Sequence, residues 1–561
     1  MLKREWIQIP AASTVFCRAG IVTVVPWQIR TQLPYPDRFV NLLVADCDAL
    51  GADAPTHAEI KRVLVPGERG AAWVKRRGTW AKVAVAMPAT LDGWPQFNYD
   101  GQATNRNHDE EVGIPTGIQW TTGPHRATAN NGYRFAHGLA IYERPDHTRG
   151  ERDAGDHLVA RDAFNGTLLW WQGAHGGHVI GSRKLKPFLI AGDSVVRLAQ
   201  AGKALVEYDA RTGAIKRSIE ASLVGGPQGR QAPDMGEAVL HGDTLLQVVE
   251  DRVAAIDWPA GTLRWTKQVG QGGWLRYPLI DAGNGMVYVA EHGAKERRDG
   301  RWPAAAIVGL HGLDAKTGDV KWSNDGGKWG KNANGMGCAG GMIVIMGAQD
   351  NGGDGVFMGV DGKTGAIIHE RGGKAGNSYR FVDGPQTGGM GQRKTLVLAD
   401  GKAYLGGSGV STFDIATGSL LSVSDWFNAR CEGTRGTGRW ILGGFSNLME
   451  LKNEGACFAT YPISRGACST GYWPAYGMLH YMPTGCGCLD PVNGFTSVSR
   501  DAVPDPTPED QRLTKGPAFG RQPISRSGAW PTYRADVGRS GWIDAGIDAS
   551  PLKPAWSTPI A

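Results

Sequence analysis

Long apolar runs are scarce in this chain. No stretch approaches the ~18 residues that a bilayer-spanning helix needs, so no helical membrane span is expected. An excess of one charge is also lacking. The formal net charge is +6 over 561 residues, with Lys and Arg scattered among Asp and Glu. No basic run is interleaved with aromatics, which argues against nucleic acid as a partner. The first residues do not read as a secretory signal, because Arg18 interrupts their short apolar run and no clean cleavage site follows. Adjacent cysteines are absent, although the chain has eight Cys. The 3.6-residue apolar period of a helical solenoid is missing as well; apolar and polar residues alternate instead.

Glycine and tryptophan are plentiful, at 82 and 20 residues. They suit tight turns and packing between sheets. The stretch Leu313-Asp314-Ala315-Lys316-Thr317-Gly318-Asp319-Val320-Lys321-Trp322 shows how they are used. An apolar strand enters an Asp-x-x-Thr-Gly turn and a second strand ends on Trp. Asp bonds the backbone two residues on, and Gly takes the positive-φ position of a short hairpin. Related turns run Asp162 to Gly166, Asp209 to Gly213, Asp257 to Gly261, Asp361 to Gly365 and Asp414 to Gly418. The intervals between successive Asp residues are 47, 48, 57, 47 and 53. A period of roughly 40–50 residues with four short strands per unit is that of a β-propeller blade.

Two degenerate units, Asn447–Leu451 and Thr496–Ala502, bring the count to eight. The last has no Trp strand after it, whereas Gly117-Ile118-Gln119-Trp120 is a Trp strand with no Asp turn before it. Circular closure is therefore expected, the strand at 117–122 completing the unit begun near 470. The fold class expected is mainly β, an eight-bladed propeller over 91–502.

Residues 1–90 read differently. Ile21–Val25 and Phe39–Ala45 have strand character, Thr56-His57-Ala58-Glu59 is a capping box opening a helix to about Leu64, and Ala71–Val74 is a further strand. This order resembles the second half of a class I methyltransferase domain, a Rossmann-like α/β fold, over about residues 20–87. The Gly-rich turn that binds the methyl donor in that fold is not found ahead of it, so no methyl transfer is expected from this chain alone. At the other end, 503–526 reads as a linker rich in Pro, Asp, Arg and Ser. Ala529-Trp530-Pro531-Thr532-Tyr533-Arg534-Ala535-Asp536 resembles Gly93-Trp94-Pro95-Gln96-Phe97-Asn98-Tyr99-Asp100. A second propeller is thus expected to start at 527–561, and the sequence reads as a fragment of a longer protein.

The repeats resemble those of PQQ-type propellers, which include quinoprotein alcohol dehydrogenases and an outer-membrane assembly scaffold. The order of partial methyltransferase, Trp-Pro motif, eight blades and second start resembles large bacterial envelope proteins with PQQ-binding-like repeats. The resemblance implies a location in the periplasm or cell envelope and protein partners on the propeller rim. For the enzymes it also implies PQQ with Ca²⁺, a disulfide between adjacent cysteines against the quinone, and an Asp base. This chain has no adjacent Cys pair, and the base and the Ca²⁺ ligands are not assignable residue by residue.

The remaining candidates are few. Cys431, Cys468, Cys486 and Cys488 cluster in the last units, at positions where cysteines recur in the resembling proteins. Disulfides, a thiolate metal site with His480 in reach and reduced thiols are the three readings. Cys17, Cys47 and Cys338 read as core. His175 and His178 flank a Gly pair in a turn, and His108-Asp109-Glu110 reads as a solvated loop. Trp274, Arg276, Asn332, Asn334 and Arg380 fall where chains enter successive blades. There they would line a polar pocket for a small ligand at the channel mouth.

Overall fold

The computed structural model describes residues 33–122, 133–144, 157–172, 188–199, 204–220, 238–249, 251–271, 273–292, 307–325, 332–348, 355–371, 396–406, 410–424, 434–443, 447–453, 457–458, 471–481, 494–501, 520, 530, 532–536 and 539–543. The chain divides into two compact units, Met1–Pro504 and Asp505–Ala561.

The first unit is mainly β and propeller-like. Eight four-stranded antiparallel sheets follow a smaller three-stranded one. Their first strands, in chain order, are Tyr133–Ala136, Phe188–Ala191, Ala238–His241, Trp274–Asp281, Asn332–Ala339, Leu396–Ala399, Arg435–Gly436 and Tyr472–Ala475. Each of the first seven of these inner strands lies beside the first strand of the next sheet. Seven sheets are simple meanders. The eighth takes its fourth strand from far away: Gly117–Thr121 pairs antiparallel with Thr496–Ser499, matching Ser497 to Trp120. That sheet also packs on the first, where Tyr133 Oη donates to Tyr481 O at 3.2 Å and the rings of Phe135 and His480 lie 4.4 Å apart.

The Asp turns explain the repeat. Asp314 accepts from the N–H groups of Lys316 and Thr317 at 2.9 and 3.1 Å, and Gly318 N–H closes on Asp314 O at 2.8 Å. The Thr317 and Lys316 amides hold the Asp314 carboxyl below its usual range. Gly318 sits at φ +73°, and Gly166, Gly213, Gly261, Gly365 and Gly418 lie between +68° and +73°. These turns are also sockets. The indole N–H groups of Trp120, Trp170, Trp265 and Trp322 donate, at 2.9–3.0 Å, to Ala163 O, Ala210 O, Ala315 O and Gly362 O of the following sheet. Each ring then covers the turn glycine of that sheet, so a Cβ on Gly166, Gly213, Gly318 or Gly365 would stand 2.4–2.6 Å from it. Where Trp is missing, other donors take its place. Arg217 bonds Trp258 O at 2.7 Å over Gly261, and His369 lies 2.7 Å from Ile415 O over Gly418.

The three-stranded sheet pairs Leu42–Asp46 parallel with Ala71–Arg76 and the latter antiparallel with Thr79–Val83. Helix His57–Val63 crosses between the parallel strands, and Thr56 Oγ1 caps it by accepting from Glu59 N–H at 3.1 Å. Ile60 and Leu64 pack on Ala45, Ala72 and Val74. The strand expected from Phe39 begins at Leu42, because the backbone at Arg38, Phe39 and Val40 bonds the end of the helix instead. The strand expected at Ile21–Val25 lies outside the described residues. This small α/β element docks on the first sheet's turn: buried Asp162 accepts from Arg69 at 2.6 Å and from Asn41 at 2.8 Å.

The sockets make a sharp test. Gly213 and Gly192 both have positive φ, but only Gly213 faces an indole. Alanine at either position meets the left-handed penalty of about 1–2 kcal/mol. Gly213→Ala should lose roughly a further 1–3 kcal/mol through overpacking, read as a lower guanidinium midpoint than that of Gly192→Ala.

Candidate functional site

Between the small sheet and the repeats runs an irregular segment, residues 93–109, that touches every inner strand in turn. Trp94 exchanges both backbone bonds with Phe135, at 2.8 and 2.9 Å. Pro95 O accepts from Ile190 N–H, and the Gln96 amide bonds both backbone groups of Leu240. Gly101 O, Gln102 O, Thr104 O and Asn105 O then accept from Ile280, Cys338, Leu398 and Gly436 at 2.8–2.9 Å. The circuit ends where it began. Buried Asn107 donates through Nδ2 to Pro474 O of the eighth inner strand at 2.9 Å and to Gly93 O at 3.1 Å.

The bend that makes this circuit is built locally. Asp100 accepts from the N–H groups of Gln102 and Thr104 and from Thr104 Oγ1, at 2.6–3.1 Å. Tyr99, Ala103 and Asn105 adopt positive φ. Trp94 is fully buried, its ring 5.7 Å from Trp473 in an edge contact, with the Arg435 guanidinium 3.8 Å over the Trp473 ring. Asp109, read from sequence as part of a solvated loop, is buried. It accepts from the N–H groups of Gly477, Asp92, Glu111 and Val112. Burial pushes its carboxyl up to about 6 despite those four donors.

The sequence candidates lie away from this segment. Trp274 and Asn332 open two neighbouring inner strands, with Arg276 and Asn334 two residues further on. The segment meets the same strands at Ile280 and Cys338, six residues later. The Arg276 guanidinium lies over the Tyr277 ring at 5.1 Å. Arg380, Cys431, Cys468, Cys486 and Cys488, like His175 and His178, lie outside the described residues. Cys47 and Cys338 are buried free thiols, and burial pushes the Cys338 thiol well up.

Two buried histidines were not legible as what they are. His480, weighed from sequence as a metal ligand, sits fully in the core. Its Nε2 faces Ala475 O at 3.2 Å and its Nδ1 faces Ser497 Oγ at 2.5 Å. A carbonyl only accepts, so Nε2 carries the proton and Ser497 donates to Nδ1. His311 joins Ser323 Oγ at 2.9 Å to Glu291 at 3.3 Å, in the order of a serine–histidine–carboxylate relay. The same Glu291 carboxylate also accepts from the N–H groups of Gln271 and Gly273, so it ties down the chain entering the fourth sheet.

A quinone with Ca²⁺ needs a carboxylate and amide ligand set. Among the described residues no cluster of three His, Cys, Asp or Glu could hold a metal ion. The chain has no adjacent cysteines to lie against a quinone. Also among the described residues, no helix is long and apolar enough to cross a membrane.

No protein-family model matches the chain, and no curated protein sequence matches it. Solved structures do. The chain is similar to the computationally designed Ika8 protein, with 13% identity over 69% of this chain and 100% of that one, at a TM-score of 0.46. It is similar to BamB from Moraxella catarrhalis, with 15% identity over 61% of this chain and 84% of that one, at 0.36. It is also similar to the quinohemoprotein alcohol dehydrogenase from Comamonas testosteroni, with 13% identity over 76% of this chain and 83% of that one, at 0.46.

Two measurements test the buried groups. Trp94→Ala should lower stability by about 3–5 kcal/mol and Asn107→Ala by about 1–3 kcal/mol in guanidinium unfolding, because each removes a buried anchor of the circuit. The second concerns pH. Burial holds His480 neutral, with its pKa lowered to about 3. Its contribution is therefore complete above about 6.5, the unfolded value, and is lost as pH falls from there towards 3, because the unfolded chain takes up the proton. Between pH 7 and pH 5 the loss should be about 2 kcal/mol. His480→Phe should be less stable at both pH values but should lack that increment of pH dependence.

Proposed function

We propose that this chain is a non-catalytic binding or scaffold protein of the cell envelope, built on a closed eight-bladed PQQ-type propeller. The observation that carries the reading is the circuit of residues 93–109, which engages all eight inner strands and returns to its own start. A short segment that meets eight inner strands in order and bonds its own start supports their arrangement around a common axis. The pairing of Gly117–Thr121 with Thr496–Ser499 supports the same closure. One end of the inner strands is thereby committed to structure. The opposite end, where Trp274, Arg276, Asn332 and Asn334 begin their strands, is left for a small ligand, joined by Arg380 in the next entry segment. The rim is left for protein partners. The envelope location comes with the resemblance of the sequence, and the cysteines at 431, 468, 486 and 488 would be disulfides there. In the same reading residues 1–90 are a methyltransferase-like remnant acting as a cap, 503–526 are a linker, and 527–561 open a second propeller.

The second reading is a PQQ-dependent dehydrogenase oxidising alcohols or sugars, favoured by the repeat alone. A titration of the purified chain with PQQ and Ca²⁺ separates the two. We expect no saturable shift in melting temperature at micromolar quinone. A ligand at 100 times its dissociation constant would add about 2.7 kcal/mol, which is readily seen. Saturable binding followed by dye-linked oxidation of an alcohol or aldose would overturn the scaffold reading.

A further inference from the structure

We infer that residues 530–542 are a second, preformed central segment, an interaction surface that fits the inner-strand ends of another ring of four-stranded sheets. The inference rests on the ring proposed above. Its evidence is the backbone. Asp536 accepts from Ser540 N–H at 3.0 Å and from Ser540 Oγ at 2.5 Å, as Asp100 does from Thr104 at 2.9 and 2.6 Å. Ala535 N–H bonds Thr532 O at 3.1 Å, as Tyr99 bonds Gln96 O. Gly541 N–H bonds Arg534 O at 2.9 Å, as Asn105 bonds Asn98 O at 3.0 Å. Positive φ recurs at matching places: +75° at Tyr99 and Ala535, +54° and +53° at Ala103 and Arg539, +54° and +69° at Asn105 and Gly541.

The side chains do the opposite. Trp94 is fully buried by the inner strands, whereas Trp530 is 55% exposed, Tyr533 77% and Trp542 69%. Three large aromatics within thirteen residues are exposed, and the first copy displays what such a surface seats on. The fit also identifies which ring. Trp542 stands where the first copy has Arg106, whose guanidinium bonds Thr437 O and pairs with Asp400. The first ring is already engaged by residues 93–109, so the occupant is a different ring.

The test uses the full chain. Hydrogen exchange should show the Ser540 and Gly541 amides protected at least tenfold over an unstructured chain, with the protection lost in Asp536→Ala. Exchange at the unstructured rate in the parent would overturn the preformed segment. In a chimera, residues 94–105 are replaced by residues 530–541 and Arg106 is kept. It should unfold cooperatively, whereas a scrambled insert of the same composition should not. A chimera no better than the scramble would overturn the assignment. A separate readout distinguishes this from a failure of the ring itself: if the Thr496–Ser499 amides, which pair with Gly117–Thr121, exchange at the unstructured rate in the parent chain, the ring reading has failed rather than the second segment.

Discussion

The sheets of this protein depend on where the free edges of their innermost strands find partners. An antiparallel sheet leaves one row of N–H and C=O groups unpaired at each edge, and a buried unpaired group costs about 1–3 kcal/mol. Residues 93–109 meet this demand with a chain that has no regular structure of its own. Its carbonyls take one N–H from inner strand after inner strand, and side chains of Gln96, Asn107 and Asp109 serve where the backbone does not reach. To turn tightly enough, three non-glycine residues adopt left-handed conformations, each unfavourable by about 1–2 kcal/mol. The bonds of Asp100 to Thr104 and the burial of Trp94 offset that strain, so the segment and the strands stabilise each other.

Coupling between neighbouring sheets works by shape plus a single donor. The turn after each Asp points one carbonyl outward and leaves a glycine beside it. Whatever fills that place must carry an N–H and a flat face. Indole meets both conditions, and the guanidinium of Arg217 and the imidazole of His369 meet them as well. This explains how the repeat keeps its geometry while its sequence drifts. It also explains why glycine is held at the turns: positive φ and the neighbour's ring both exclude a side chain there.

Legibility followed periodicity. The Asp turns, the Trp strands and the partnership of 117–121 with 496–499 could be read because they repeat, or because a repeat lacked one part. Thr56 and Glu59 announced the helix by local chemistry. The circuit was not legible beyond its Trp-Pro start. Its Gly, Asn, Asp and Gln residues look like any loop, and their partners lie one per sheet across more than 300 residues. Asp109 was misread for the same reason: a carboxylate serving four backbone amides leaves no mark in a sequence. Arg217 and His369 were missed because the docking rule is one of geometry, not of residue type.

The two ends of the inner strands are chemically unequal, and this bears on function more than the fold does, since one fold hosts many functions. At the end held by residues 93–109 each inner strand is bonded to the segment. A ligand there would have to displace bonds on which the sheets rely. At the other end, the strands that begin with Trp274 and Asn332 bring aromatic, basic and amide residue types to adjacent positions, six residues away from the circuit. Glu291 anchors the entry to the first of these strands through Gln271 and Gly273. In the reading proposed above, binding at that end would vary without loosening the bonds between the inner strands and residues 93–109.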